Sequence, residues 1–493
     1  MNLQDQLIHD SLRYQTRRHF LKQSTLGLGG IALGSLLGCE SQSRSSKSLN
    51  QAITDPFMAR PPHFAPRAKT IIYLHMAGAP SQLELFDYKP ELAPLDGQDC
   101  PASFLEGKRF AFIQGVPKML GPRAKFIQRG QSGAWVSDRM PHFAEVADEV
   151  TFLKAMYTDE FNHAPAQLLM HIGSPRLGRP SMGSWVFYGL GSENQNMPGF
   201  VVLVSGGKTP SAGKSVWGTG FLPTVYQGVQ CRSEGDPVLY LSNPGFIDRH
   251  LRKKSVEAIT KINRQEHEES GSSEILSRIS QYEMAFRMQM SVPEAMDIAQ
   301  EPAYIHDLYG TEPGKTSFAN NCLLARRLAE RGVRYIQLFH WGWDTHGTSP
   351  HGSLDDGFIQ RCKEVDQAKT ALIKDLKQRG MLDSTIVVWG GEFGRTPMQE
   401  NRAGADLPFP GRDHHKEAFT IWVAGGGFRQ GLSYGETDEM GYAGVKDRVH
   451  IHDLQATLLH QMGLDHERLT YHYQGRDFRL TDVHGKVVQD VLS

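Results

Sequence analysis

Histidines and carboxylates collect in four short stretches of this chain, each placed just after a run suited to a buried strand. Residues 385–389, Thr-Ile-Val-Val-Trp, form such a run; it stops at Gly390-Gly391, where the backbone can turn sharply, and Glu392 follows at once. Beyond a loop rich in Pro and Gly stand His414 and His415, placed to return to the same rim. The run 334–338 leads into His340-Trp341-Gly342-Trp343-Asp344-Thr345-His346-Gly347. The run 151–156 precedes Asn162-His163-Ala164-Pro165-Ala166-Gln167, and the run 70–75 itself ends on His75. Imidazole and carboxylate donors together suit a divalent metal: zinc first, with manganese or iron close behind, whereas calcium or magnesium would want more oxygen donors. A lone Asp-x-His is structural more often than not. Its coincidence with other ligand types at strand ends is what turns Asp344 and His346 into candidate ligands.

These side chains need a scaffold that brings strand ends together. Strands are expected over 70–75, 151–156, 200–204, 334–338, 385–389 and 419–424. Between the fourth and fifth, Phe358, Ile359, Cys362, Val365, Leu372, Ile373 and Leu376 share one helical face, and Gly380 supplies a stop. Strand, helix, strand in that order argues for an α/β fold with a mostly parallel central sheet flanked by helices. In such sheets ligands gather beyond the carboxyl ends of the strands, where Glu392 and Asp344 fall. Residues 250–300 are highly charged, interrupted by EESGSSE, and read as a helical insertion on the outside of the sheet.

The first 39 residues are of another kind. Thr16-Arg17-Arg18-His19-Phe20-Leu21-Lys22 is a twin-arginine export signal, and an apolar, glycine-rich run over 26–37 follows it, too short for a bilayer span. It ends in Leu36-Leu37-Gly38-Cys39, which resembles the lipobox of bacterial lipoproteins, so Cys39 is expected to carry lipid and hold the protein to a membrane of the cell envelope, facing the periplasm. Residues 40–69 turn to Ser, Pro and charge and read as a flexible tether, leaving 70–493 as the folded domain. The other cysteines, Cys100, Cys231, Cys322 and Cys362, include no Cys-x-x-Cys pair. A net charge of −1 removes any global electrostatic reason to expect nucleic acid as a partner.

The strings LFDYKP, WDTHG, GEFGRTP, GRDHH and VAGGGFRQGLSYGETDE, with the closing VHIHDLQATLLHQMGLDHERL, resemble the bacterial family called domain of unknown function 1501, from about residue 68 to the C-terminus. That family is distantly similar to the alkaline phosphatase and sulfatase superfamily. The resemblance implies an alkaline-phosphatase-like α/β sandwich, a hydrolase ancestry, and a small-molecule or glycan ester as substrate. It puts His163 where sulfatases carry their nucleophile, sets Gly391-Glu392-Phe393-Gly394 against a Ser-Asp-His-Gly metal stretch, and places His75 where an aspartate ligand would stand. Asp344, His346 and one of His414 or His415 match the other metal position. Two expectations follow. In one, a metal-dependent hydrolase attacks an anionic ester directly with water, His163 or Glu392 moves protons, and Asn162, Arg395, Arg412 or Lys416 hold the substrate. In the other, the chain is a catalytically inactive, lipid-anchored binding or assembly protein. His450 and His452, just ahead of an Asp453 helix cap, are given a structural role.

Overall fold

The structure, a computed structural model, describes residues 57–493 apart from 234–236, 239–247 and 403. The twin-arginine leader, Cys39 and the start of the tether lie outside the described residues. The strands that matter are, in chain order, β1 (Thr70–Ala77), β2 (Val150–Tyr157), β3 (Phe200–Ser205), β4 (Val229–Cys231), β5 (Tyr335–Trp341), β6 (Thr385–Gly390), β7 (Gly394–Gln399), β8 (Arg412–His415), β9 (Phe419–Ala424), β10 (Leu432–Tyr434) and β11 (Val449–His450). The longer helices are α1 (His163–Ile172), α2 (Met182–Leu190), α3 (Arg249–Ser270), α4 (Ser273–Met296), α5 (Phe318–Glu330), α6 (Gly357–Gln378) and α7 (Ile451–Gln461).

One mixed sheet organises the domain in the order β10-β2-β9-β6-β1-β5-β3-β4, with β11 added to β2. Strands β6, β1, β5, β3 and β4 run parallel; β9 alone opposes its neighbours β6 and β2. Every residue of β1, β6 and β9 is buried, as expected where helices cover both faces and a strand can read as a continuous apolar run. Central β1 pairs Ile71 with Tyr335 of β5 on one side and with Ile386 of β6 on the other. The connection from β5 to β6 therefore crosses over β1, and α6 makes the crossing with Phe358, Cys362, Val365, Leu372, Ile373 and Leu376 buried. Trp389 of β6 and Trp422 of β9 are cross-strand partners whose rings stack with centroids 5.9 Å apart, a contact worth roughly 1 kcal/mol beyond its buried area.

Two departures from the sequence reading concern boundaries. Strand β5 runs on through His340 and Trp341, so these are strand residues rather than loop. The tether does not extend to Lys69: Arg60 N bonds to the Leu190 carbonyl, His63 N to that of Gly463, and Arg67 N and Ala68 N to that of Gln461, while Phe57 is buried. Composition missed this because the segment docks through backbone bonds and isolated side chains such as Phe57 and His63, which form no apolar period. Residues 249–296 form the two helices α3 and α4, separated at Gly271, whose φ of +66° is the left-handed conformation that ends a helix.

Candidate metal centre

Strands β1, β2, β5 and β6 end on one rim of the sheet, and the turns that follow them carry the ionisable groups. After β5 the chain bends at Gly342 and delivers Asp344 and His346; after β2 it passes Phe161 and starts α1 at His163. After β6, Gly391 lets the chain pass close enough to Pro80 that a Cβ there would sit 2.6 Å from its ring, and Glu392 comes next. At the end of β1, Gly78 (φ +111°) packs against the Asp344 backbone so tightly that a Cβ would lie 2.6 Å from its nitrogen. The antiparallel ribbon β7–β8 then folds over this rim. His414 and Arg395 are cross-strand partners in it and reach the same carboxylate.

Three imidazoles converge on one oxygen. Nε2 of His346, His163 and His414 lie 2.8, 3.1 and 3.2 Å from Asp344 Oδ1, which also accepts a 2.7 Å bond from Arg395. The ligand atoms of these three histidines and Asp344 all fall within 4.8 Å of one another. The opposite ring nitrogens point outward to acceptors: His163 Nδ1 donates to Glu392 Oε1 (2.7 Å), His414 Nδ1 to the Phe161 carbonyl (2.8 Å), and His346 Nδ1 to Glu400. With Nδ1 committed as donor, a neutral imidazole presents a lone pair at Nε2. Three lone pairs aimed at an anionic oxygen repel unless positive charge stands among them, supplied by protons or by a cation.

The electrostatics register the same demand. Burial opposes charge on Asp344, yet Arg395 and the three imidazoles hold it well below the usual carboxylate range. Burial would lower His163, but Asp344 and Glu392 outweigh it and push it up to about 9. Burial takes His414 the other way, to about 3, with Arg395 adding to the shift. One site thus holds imidazoles driven in opposite directions.

The residues fit a divalent cation. Ligand atoms on a tetrahedral ion with bonds of about 2.0–2.1 Å stand roughly 3.4 Å apart, close to the separations seen around Asp344 Oδ1. His163 Nε2 is buried and has no hydrogen bond of good geometry despite its nearness to Asp344. Each ring is also oriented from behind by a carboxylate or carbonyl, the arrangement that fixes the tautomer of a ligating histidine. Four protein donors would fill a tetrahedral zinc, whereas manganese or iron, or zinc expanded to five positions, keeps room for another ligand.

Several expected site residues lie elsewhere. Glu392 is fully buried behind His163, bonded also to Gln167 Nε2 (2.8 Å) and the Gly78 amide, and is a support of the ligand ring rather than a ligand. His75 is one layer deeper, its Nε2 3.2 Å from Glu392 Oε2. His415 does not join, because successive residues of a strand face opposite sides: it turns away, donates Nε2 to the Tyr442 carbonyl, and burial lowers it to about 4. Arg412 is fully buried, with Nε and NH2 on Glu84 Oε1 at 3.0 and 2.7 Å, so it cannot reach a substrate. Arg395 is equally buried and spends its donors on Asp344 and the carbonyls of Gly78, Ala79 and Arg412. Asn162 is exposed where α1 begins, without a capping bond from its side chain.

Other participants carry no sequence signal of their own. Glu400 and the Phe161 carbonyl orient ligands, and Phe393 lies against His163 with ring centroids 5.0 Å apart, filling the place where the family resemblance suggested an imidazole. Asp413 accepts from the amides of Phe112 (2.7 Å) and Ile113 (3.0 Å), tying a loop over the site so that the Phe112 ring stands 5.2 Å from that of His414. Beside His414 opens a cavity of about 540 Å³ bordered by Lys108, Arg109, Lys416, Asp159 and Glu417. Arg109 is exposed and makes no ion pair or hydrogen bond among the described residues. The Asp344 side chain is 32% exposed, so the cluster is not sealed.

Fold and site together describe an α/β domain with a three-histidine, one-aspartate cluster beyond the carboxyl ends of its parallel strands. The chain belongs to the family described as protein of unknown function (DUF1501), whose model matches residues 68–492. No curated protein matches it. Among solved structures it is similar to a sulfatase from Pseudoalteromonas sp. (12% identity, covering 82% of this chain and 69% of that one, TM-score 0.35). It is also similar to the lipoteichoic acid synthase LtaP from Listeria monocytogenes (9%, 86% and 78%, TM-score 0.33). A third is the alkaline phosphatase from the Antarctic bacterium TAB5 (11%, 73% and 92%, TM-score 0.30).

Proposed function

We propose that this chain is a metal-dependent hydrolase of an anionic ester, with His163, Asp344, His346 and His414 holding one divalent cation. The observation that carries the reading is the join between the ligand cluster and the cavity that Lys108, Arg109 and Lys416 border. A bound cation would polarise the ester and lower the pKa of a water ligand. The protein's own part is to bind and orient. Arg109 and the two lysines attract the anion, Phe112 roofs the cluster, and Glu392, Glu400 and the Phe161 carbonyl keep the ring protons on Nδ1. None of the residues bordering the cavity is serine, threonine or cysteine, which favours direct attack by water over a covalent intermediate. His163 stands in the ligand ring and so cannot also shuttle protons from Nε2, which leaves Asp159 and Glu417 as the carboxylates on the cavity wall.

Four protein donors favour a second reading, since a tetrahedral zinc would be closed by them and serve only structure or binding. Turnover of aryl sulfates and aryl phosphates by protein loaded with manganese, iron or zinc separates the two. Ester cleavage that disappears in Asp344→Ala supports the hydrolase; stoichiometric metal with no cleavage of any ester supports the binding protein. Export by the twin-arginine route and lipid attachment at Cys39 belong to the same proposal. Release of Cys39→Ser from the membrane fraction would support the anchor, and its retention there would refute it.

A further inference from the structure

We propose that Gln337 sets the tautomers of His171 and His75 through a buried relay that ends on Glu392, the carboxylate behind His163, and that His75 and His171 are positioning residues of the cation site. The relay crosses four elements: Gln337 in β5, His171 in α1, His75 in β1, and Glu392 after β6. All four residues are 1% exposed or less. The inference rests on the cation reading for its purpose, though not for its geometry.

The direction of each contact can be worked out from its ends. Gln337 Nε2 lies 3.0 Å from His171 Nδ1, and an amide nitrogen only donates, so His171 Nδ1 is the acceptor and its proton sits on Nε2. That Nε2 is 3.2 Å from His75 Nδ1 and donates to it, which leaves the His75 proton on Nε2. His75 Nε2 has no hydrogen bond of good angle, and the polar atom it faces at ion-pair distance, 3.2 Å, is Glu392 Oε2. Glu392 receives donors from three further sides: His163 Nδ1, Gln167 Nε2 and the Gly78 amide.

Turning the Gln337 amide over would invert the whole chain. His171 would then donate from Nδ1 to the amide oxygen and His75 from Nδ1 to His171, so that His75 would either turn a lone pair on an ionised carboxylate across 3.2 Å of protein interior or have to carry a second, buried proton. Buried acceptors set against each other in this way are expensive. Burial also holds His171 well below the usual imidazole range, so the ring sits in the relay as a neutral, directional group. With Glu392 fixed as acceptor, the His163 proton stays on Nδ1 and its Nε2 lone pair points at the cation position.

The test is a histidine-ring nitrogen spectrum of the full chain labelled with 15N-histidine, together with metal affinity by chelator competition. The expected result for the wild type, metal-free or loaded, is an Nε2–H tautomer at His75 and His171 and Nδ1–H at His163 in the loaded protein. Gln337→Met keeps the volume and removes the donor. It should mix the tautomers of His171 and His75 and weaken metal binding by about tenfold, the lower range for groups that orient ligands. A Gln337→Met protein with unchanged ring signals and unchanged affinity overturns the relay. Should that variant fail to fold, the wild-type spectrum decides alone: a doubly protonated His75 or an Nδ1–H His171 refutes it. A wild type that binds no metal but shows the stated tautomers at His75 and His171 would overturn the cation reading and leave the relay standing.

Discussion

Two groups of histidines lie near the carboxyl rim of the sheet, and they have been put to opposite uses. In the first, His163, His346 and His414 each send Nδ1 outward to an acceptor and Nε2 inward to Asp344. In the second, His450 and His452 stand where β11 pairs with the end of β2, with Asp159 and His484 beside them. His450 Nδ1 accepts from the His452 amide while Asp453 accepts from the His450 amide, a reciprocal cap on α7, and His452 Nε2 donates to the Gly173 carbonyl at 3.1 Å. One nitrogen of each ring is spent on a helix end or a backbone oxygen, and His450 turns its other nitrogen to Asp159 at 3.2 Å rather than to a shared centre with His452. The contrast teaches that a count of imidazoles does not make a ligand site; what the far nitrogen of each ring is tied to decides whether the near ones can converge.

The comparison can be broken at its strongest point first. His346→Ala should abolish the stabilisation that a saturating divalent ion gives the wild type, on the order of 4 kcal/mol at a thousand times the dissociation constant, whereas His452→Ala should keep it. Thermal unfolding with and without added metal reads both. Next, Glu400→Gln removes the carboxylate behind His346 and should weaken metal affinity by about 10- to 100-fold without removing any ligand.

The third prediction concerns the other group. Burial lowers His452 to about 4, and its bond to Gly173 offsets this only in part. The unfolded chain, with an imidazole near its ordinary value of about 6.5, binds the proton more readily. This contribution is therefore present in full above pH 6.5 and is lost as pH falls toward 4, by up to about 3 kcal/mol. His452→Gln should flatten that part of the pH profile of unfolding while metal affinity stays unchanged. Smallest in effect is Arg109→Ala, expected to raise KM for an anionic ester severalfold with kcat nearly constant, because the exposed guanidinium binds ground and transition states alike.

Much of the scaffold was written in local pattern. The β-branched run 385–389 and the apolar face of α6 each declare themselves within one element, and Asp344 and His346 are conspicuous as residue types after a strand, while Asp453, expected to cap α7, reaches back from its first turn to His450, which is the cap residue. What escaped is set by three-dimensional direction. The choice between His414 and His415 depends on the side each takes in a ribbon whose register shifts between Arg412 and His414. Arg395 and Arg412 resembled exposed anion binders, since nothing near them in sequence announces Glu84 or the carbonyls that bury them. Glu400, His171 and Gln337 matter only through the nitrogen each one faces. The antiparallel β9 was invisible for a similar reason, because a short apolar run carries no mark of its direction.

Elemental analysis of protein purified without added metal, wild type beside Asp344→Ala, bears most directly on the convergence of those three imidazoles. The account predicts about one transition-metal ion per chain in the wild type and almost none in the variant. A metal-free wild type that also fails to take up manganese, iron or zinc, or an ion that persists in Asp344→Ala, would contradict it.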